Sequence, residues 1–236
     1  MKKITLLLLT VFFFGKTYAQ DNLLDNLLSK HVSAKGVVDY KSFKTDETKL
    51  NEYLTYLENL SFSDDWSAEK QKALWVNAYN AYTIKVILDN YPVASIMDIK
   101  EGDKGAWDLS IAKIAGKTYS LNHIEHEILR KQFDDPKIHV AVNCASISCP
   151  KLANFAFTEE NYEEKTDELM RAFINDSSKN IITESKVQLS KIFEWFAADF
   201  TKKGSLFEFI NKYSELKIGK KAKVKYLNYN WNLNGK

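Results

Sequence analysis

The sequence predicts an α+β fold: one domain with a long central buried helix, several packed helices and a small, mostly antiparallel sheet. Three observations predict it. From Ala73 to Leu88 apolar residues occupy nearly every face of a helical projection, the mark of a helix with no solvent side. Short apolar and polar residues alternate at 111–119 and 181–190, the pattern of strands or hairpins. No internal repeat, low-complexity tract or clear linker divides the 236 residues, so a single domain over 20–236 is expected.

The first nineteen residues stand apart. Lys2 and Lys3 form a positive start, Ile4 to Phe14 is apolar apart from Thr10, and Thr17-Tyr18-Ala19 offers a small-residue cleavage site before Gln20. This is the pattern of a signal peptide over 1–19, too short for a membrane span with these flanks. It predicts an exported protein, periplasmic or extracellular. Its loss takes three of the 33 Lys and Arg residues and no acid, against 31 Asp and Glu, so the net charge moves from +2 to about −1. A near-neutral chain argues against nucleic acid as a partner. No later segment has the apolar length of a stable membrane span after cleavage. High aromatic content with few Pro and Gly argues against disorder.

Taken in order, Leu23, Leu24, Leu27 and Leu28 lie at helical spacing within 21–31. Residues 35–40 read as a turn and short strand, and 45–60 as a helix with Leu50, Tyr53, Leu54 and Leu57 on one face. Ser67 is placed to cap the central helix, about 68–90, which Asn90-Tyr91-Pro92 ends. Residues 93–106 read as a loop, and 111–119 as a hairpin turning at Gly116-Lys117. Ser120 is placed to cap a helix to about Gln132, and Pro136 to break the chain before a strand at 138–143. Thr158 is expected to cap a helix to about Asn175 and Ser190 one over 191–200. A last helix over 205–213 precedes a terminal strand and a packed aromatic segment.

Chemistry concentrates around the loop after residue 143, which carries both cysteines, Cys144 and Cys149. In an exported chain two cysteines five apart suit a small disulfide, while a nucleophilic thiol needs a nearby base; both readings stay open. His139 on an extended strand would lie on the order of 15 Å from Cys144, at ~3.3 Å per residue, which favours His126 as the base. On a helix, Glu125 adjoins His126 and Arg130 shares its face. Asn77 and Asn80 lie on one side of the central helix, where buried amides need partners: either a neighbouring loop or a site. The histidines and cysteines match no zinc spacing, and there is no phosphate-binding glycine loop or Gly-x-Ser-x-Gly, so no metal or cofactor is expected.

Trp75-Val-Asn-Ala-Tyr-Asn-Ala81, Ile124-Glu-His-Glu-Ile-Leu-Arg130, Ile138 to Leu152, Ile192 to Phe200 and Asn230-Trp-Asn-Leu-Asn234 together resemble the bacterial exported members of domain-of-unknown-function family 547. The resemblance spans about 70–234. It implies no activity, but it implies which positions matter: Asn77, Asn80, Glu125, His126, Arg130, His139, Cys144 and Ser146. It leaves out His123 and makes Cys144 the more telling thiol. The order of elements is similar to papain-like and transglutaminase-like enzymes, although Asn77 and Asn80 stand where their helix-borne cysteine would be.

These residues define an expected polar cleft for a small-molecule or peptide ligand. On the enzyme reading, a cysteine hydrolase or acyl-transferase, Cys144 is the nucleophile, His126 the base and Glu125 its orienter. Asn77 or Asn80 donates to an oxyanion, Arg130 binds a ligand carboxylate or an internal acid, and His139 and Ser146 line or support the site. The competing reading is a non-catalytic binding or scaffold domain whose His, Asn and Cys residues are structural.

Overall fold

A computed structural model describes the backbone of residues 14–235 and the side chains of 22–235. The n-region and most of the apolar core of the expected signal peptide lie outside the described residues. The described chain is an α+β fold in which helices surround one long buried helix and three small sheets lie at the periphery. The buried side chains form one contiguous cluster. Among the described residues no helix is long and apolar enough to cross a membrane.

Helices α2 (Tyr40–Thr45) and α3 (Glu47–Glu58) pack on α4 (Ala68–Asp89), and α1 (Phe14–His31) packs on α2 and α3. The Oγ of Ser67 accepts the Lys70 N–H (3.1 Å) to start α4, satisfying a helix-end donor. Nearly every side chain from Lys72 to Leu88 is buried, as its apolar pattern requires. Even Lys72 is inside, with its ammonium on Glu163 (2.7 Å) and Asp135 (3.1 Å).

Between α4 and the next helices the chain is more ordered than a plain loop. A 3₁₀ turn (Ile96–Asp98) leads into a small hairpin, β1 (Lys100–Glu101) with β2 (Lys104–Gly105). The second hairpin, β3 (Ala112–Ile114) with β4 (Lys117–Tyr119), turns at Ala115-Gly116, one residue earlier than expected. Both turn residues have positive φ, +49° and +72°, as a two-residue hairpin turn with matching twist requires.

The expected helix after Ser120 starts at 121–122, runs as a π-helix over His123–Leu129 and continues as α5 (Arg130–Phe133); the Arg130 N–H reaches back five residues to the Glu125 carbonyl. A π segment carries one extra residue in the turn and often marks a functional site. The expected strand at 138–143 is instead a helical turn, α6 (Ile138–Ala141). In the turn that leads into it the Asp135 side chain accepts the Lys137 N–H (3.0 Å), and Pro136 suits a helix start. A short apolar run is ambiguous between buried strand and buried helix, and all four residues of α6 are buried.

Helix α7 (Tyr162–Asn175) starts after the expected Thr158 cap, because Thr158 and Asn161 bond each other reciprocally and Asn161 becomes the cap. Strands β5 (Ile181–Ile182) and β6 (Lys186–Leu189) pair antiparallel, and β7 (Lys223–Tyr226) joins β6 in parallel. Ser190 precedes α8 (Ile192–Trp195), followed by α9 (Ala197–Thr201). A full capping box at Ser205 and Glu208 starts α10 (Leu206–Tyr213).

The last residues thread back as a clasp. Leu233 N–H bonds the Ala94 carbonyl, Asn234 N–H the Ala145 carbonyl, and Val38 N–H the Asn234 carbonyl. Gly235 passes so close to Val38 that an added Cβ would lie 2.0 Å from its carbonyl oxygen, a close approach that needs glycine. The clasp ties the cysteine loop to both α2 and the segment after α4.

Candidate functional site

A cavity of about 190 Å³ opens where the π segment, α6, the cysteine loop, α8 and the C-terminal clasp meet. Its walls carry Glu125, His126, His139, Cys144 and Cys149 together with Tyr79, Trp107, Trp195, Phe196, Tyr229 and Trp231. A larger groove of about 760 Å³ lies across the cysteine loop and shares only Cys149 with it. That groove is lined by no histidine, so the smaller cavity is where a thiol and candidate bases converge.

The cysteine loop is held by Asn143, which sequence reasoning passed over. Its amide donates to the Pro150 carbonyl (2.8 Å), and its Oδ1 accepts from Ala145 N–H (2.9 Å) and Asn234 Nδ2 (3.1 Å). This fixes Ala145 at φ +56°, a conformation costly for a residue with a Cβ. The strain lies beside Cys144, and the surrounding hydrogen bonds over-determine it.

Cys144 and Cys149 are free thiols, Cys144 partly exposed and Cys149 buried. The Cys144 N–H donates to Cys149 Sγ (3.1 Å), and Cys144 Sγ lies 3.2 Å from both the Ser146 hydroxyl and the Tyr229 hydroxyl. Hydrogen bonding from the Cys149 thiol, then from Ser146 and Tyr229, holds the Cys144 thiol below its ordinary pKa against the opposing effect of burial. Burial, reinforced by Cys144, pushes Cys149 well up. The pair is thus split into one thiol favoured as thiolate and one held neutral.

His139 comes within the same cavity because its segment is a helical turn rather than a strand. This removes the extended-chain geometry that set it apart from Cys144. Its Nε2 lies 2.8 Å from Asp199 Oδ2, and its ring stacks on Phe196 at 4.1 Å between centroids. Its Nδ1 has no hydrogen bond among the described residues. Asp199 also accepts from Arg130 Nε at 2.6 Å. Burial works to raise the Asp199 pKa, but the bonds from His139 and Arg130 overcome it and hold the carboxyl well below the usual carboxylate range.

Arg130 thus pairs with an internal acid, the second of its expected roles. It also stacks its guanidinium on Phe196 at 4.8 Å and approaches His126 Nδ1 with Nη1 at 3.2 Å. Arginine can only donate, so His126 Nδ1 accepts and Nε2 carries the ring proton. Glu125 does not bond His126; it is 8% exposed and accepts the Tyr79 hydroxyl at 3.1 Å.

Asn77 and Asn80 stand behind the cavity and do not line it. Asn77 holds both the N–H (2.9 Å) and the carbonyl (2.7 Å) of Phe157. Asn80 accepts the Asn143 N–H (2.8 Å) and donates to the Ala141 carbonyl (2.9 Å). Each amide is a backbone clamp, which answers the need of a buried side-chain amide for partners. Ser146 reaches the site through Cys144 and Tyr229. Asp199, Tyr229, Trp195 and Trp231 come from the last forty residues or from α8 and α9, and their approach to Cys144 depends on the tertiary path. Among the described residues no three His, Cys, Asp or Glu side chains group as a metal site.

A family model described as "Protein of unknown function, DUF547" matches residues 63–174, under half of the chain. The chain resembles that family from the start of α4 to the end of α7. The matched stretch contains Glu125, His126, His139 and Cys144, while Asp199, Tyr229 and Trp231 lie beyond it. No curated protein and no solved structure matches the chain.

Proposed function

We propose, from the chain's likeness to a family without an assigned activity, that the cavity carries out acyl transfer or hydrolysis with Cys144 as nucleophile. One observation carries this reading: a thiol favoured as thiolate by three donors shares a small cavity with a histidine oriented by a carboxylate. The base is His139 rather than His126, because His139 has the acidic partner and a free Nδ1, whereas Arg130 occupies Nδ1 of His126.

In the acylation step Cys144 gives its thiol proton to His139 Nδ1, and Sγ forms a bond to the carbonyl carbon of an ester or amide while the C=O π pair moves onto oxygen and returns as the leaving group departs. The C–O or C–N bond then breaks, and the leaving alcohol or amine takes a proton from protonated His139. Water or a second nucleophile next attacks the thioester, giving its proton to His139 and releasing Cys144. Asp199 holds the ring and balances its charge. His126 Nε2–H is the donor available to an oxyanion, since Asn77 and Asn80 are spent on backbone.

Alkylation of the native full chain with iodoacetamide, followed by intact mass across pH, tests the nucleophile. The expected result is rapid labelling at Cys144 alone, with a midpoint below the free-thiol value of ~8.5. Two inert thiols, or a midpoint at or above that value, would overturn the reading in favour of a satisfied, non-catalytic binding domain. The apolar leader further supports a place outside the cytoplasm, periplasmic or extracellular. Amino-terminal sequencing of the cell-fractionated protein checks this: a chain starting at Gln20 is expected, and a cytoplasmic chain retaining the leader refutes it.

A further inference from the structure

We infer that the cavity receives an alkylammonium group of the substrate, held against the indole and phenol rings and paired with Glu125; this rests on the acyl-transfer reading for what lies beside that group. Among the described residues Glu125 is the only acidic residue lining the cavity, and neither Lys nor Arg lines it. The side chain is 8% exposed, and one oxygen accepts from Tyr79 while the other has no hydrogen bond among the described residues. A buried carboxylate with an open acceptor calls for a donor or a cation, because burying it unpaired is costly.

The aromatic lining of the same cavity supplies the second half of such a site. Tyr229 and Trp231 lie 4.5 Å apart between ring centroids, Trp195 lies 4.8 Å from Tyr229, and Trp195 stacks on Trp231 at 5.9 Å. Trp107 meets Trp231 edge-on at 5.7 Å. Aromatic faces carry negative electrostatic potential and attract ammonium groups, most strongly where water is excluded. The rings are already held by one another, so little ordering is required on binding. Trp195 is 47% exposed although it is a large aromatic, as expected for a wall that completes its contacts with a ligand.

The volume narrows the class. About 190 Å³ is smaller than a typical pocket for a drug-sized ligand, roughly 300–1,000 Å³. It suits one ammonium-bearing arm, with the rest of the substrate outside. The substrate class is therefore an amine-bearing ester or amide whose cationic arm enters beside Cys144. A protonated primary amine and a quaternary ammonium share this chemistry.

The test titrates the full chain with tetramethylammonium chloride, n-butylammonium chloride and the neutral isostere 2,2-dimethylpropan-1-ol at matched ionic strength, read by calorimetry and tryptophan fluorescence. The two cations distinguish a quaternary from a primary amine site. At least one cation is expected to bind about tenfold or more tightly than the neutral compound, and to lose about tenfold in Glu125→Gln. Trp195→Ala, at a position 47% exposed, is expected to lose about threefold to tenfold. Equal binding of the neutral isostere, or unchanged cation binding in a folded Trp195→Ala protein, overturns the inference. Alkylation of Cys144 is followed in parallel. Rapid labelling with no cation binding defeats this inference and leaves the nucleophile standing; cation binding beside an inert Cys144 does the reverse.

Discussion

Two buried polar regions face each other across α6 and differ in what they leave open. On the α4 side, Asn77 and Asn80 close their hydrogen bonds on the backbones of Phe157, Ala141 and Asn143. On the cavity side, among the described residues, His139 keeps a ring nitrogen and Glu125 an oxygen without a hydrogen bond, and Cys144 keeps a thiol surrounded by hydrogen-bonding groups. Asn77, Asn80, His139 and Glu125 are all buried, and only Cys144 is partly exposed. The first spends its polarity on holding the chain, while the second holds chemical capacity that the fold itself does not use. A buried polar residue is therefore a site candidate when its partners are incomplete, and a scaffold element when they are complete.

Breaking the closed region should produce the largest effect. Asn80→Ala leaves the Asn143 N–H and the Ala141 carbonyl without partners inside the protein. An unsatisfied buried group costs about 1–3 kcal/mol, so a loss of about 3 kcal/mol in urea unfolding is expected for the pair. The cysteine loop hangs on Asn143, so Cys144 labelling should also lose its selectivity over Cys149. A loss below ~0.5 kcal/mol would show that the clamp is not closed as described.

Asp199→Asn attacks the boundary between the regions, since Asp199 braces His139 and Arg130. The expected cost is about 2 kcal/mol near neutral pH, in the range of hydrogen bonds to charged groups. Its pH dependence has a definite sign. The folded carboxyl titrates below its ordinary value, so its stabilisation is fully present above the unfolded Asp pKa of ~3.9 and declines as pH falls further. The gap between wild type and variant should therefore be flat from about pH 5 to 7 and shrink below about pH 4. On the catalytic reading the variant also loses turnover more than substrate affinity, because Asp199 orients the base without touching substrate.

The comparison also separates what was readable in the sequence from what was not. The long apolar stretch from Ala73 to Leu88 and the Ser67 cap announced α4, because periodicity and capping are local. Asn77 and Asn80 were visible as anomalies on that helix, and the clamping of a neighbouring loop was one of their two open readings. The α6 turn was not legible, since four buried apolar residues satisfy strand and helix patterns alike and the Asp135-Pro136 start decides between them. That single difference moved His139 from a distant support to a wall of the cavity. Nor was the π segment legible, because its register depends on packing against α4. Asp199 and Tyr229 lie 55 and 85 residues from Cys144 in the chain, and only the path of α9 and the clasp brings them to the site.

The smallest expected effect is the sharpest test of the open region. Tyr229→Phe removes one hydroxyl from Cys144 Sγ and from Ser146 Oγ while keeping the ring against Trp195 and Trp231. The hydroxyl is one of three donors favouring the thiolate, after Cys149 and beside Ser146. Its loss should raise the Cys144 midpoint and slow alkylation at neutral pH by about fivefold, the equivalent of one neutral hydrogen bond worth about 1 kcal/mol. Unfolding stability should change by less than ~1 kcal/mol, because Cys149 still bonds Cys144 and the Ser146 hydroxyl, released from Tyr229, can rotate to it. A closed region behaves the other way, losing stability with no change in reactivity. If Tyr229→Phe does that, the Cys144 cluster belongs with Asn77 and Asn80 as scaffold, and the thiol is a buried small residue with good hydrogen bonds.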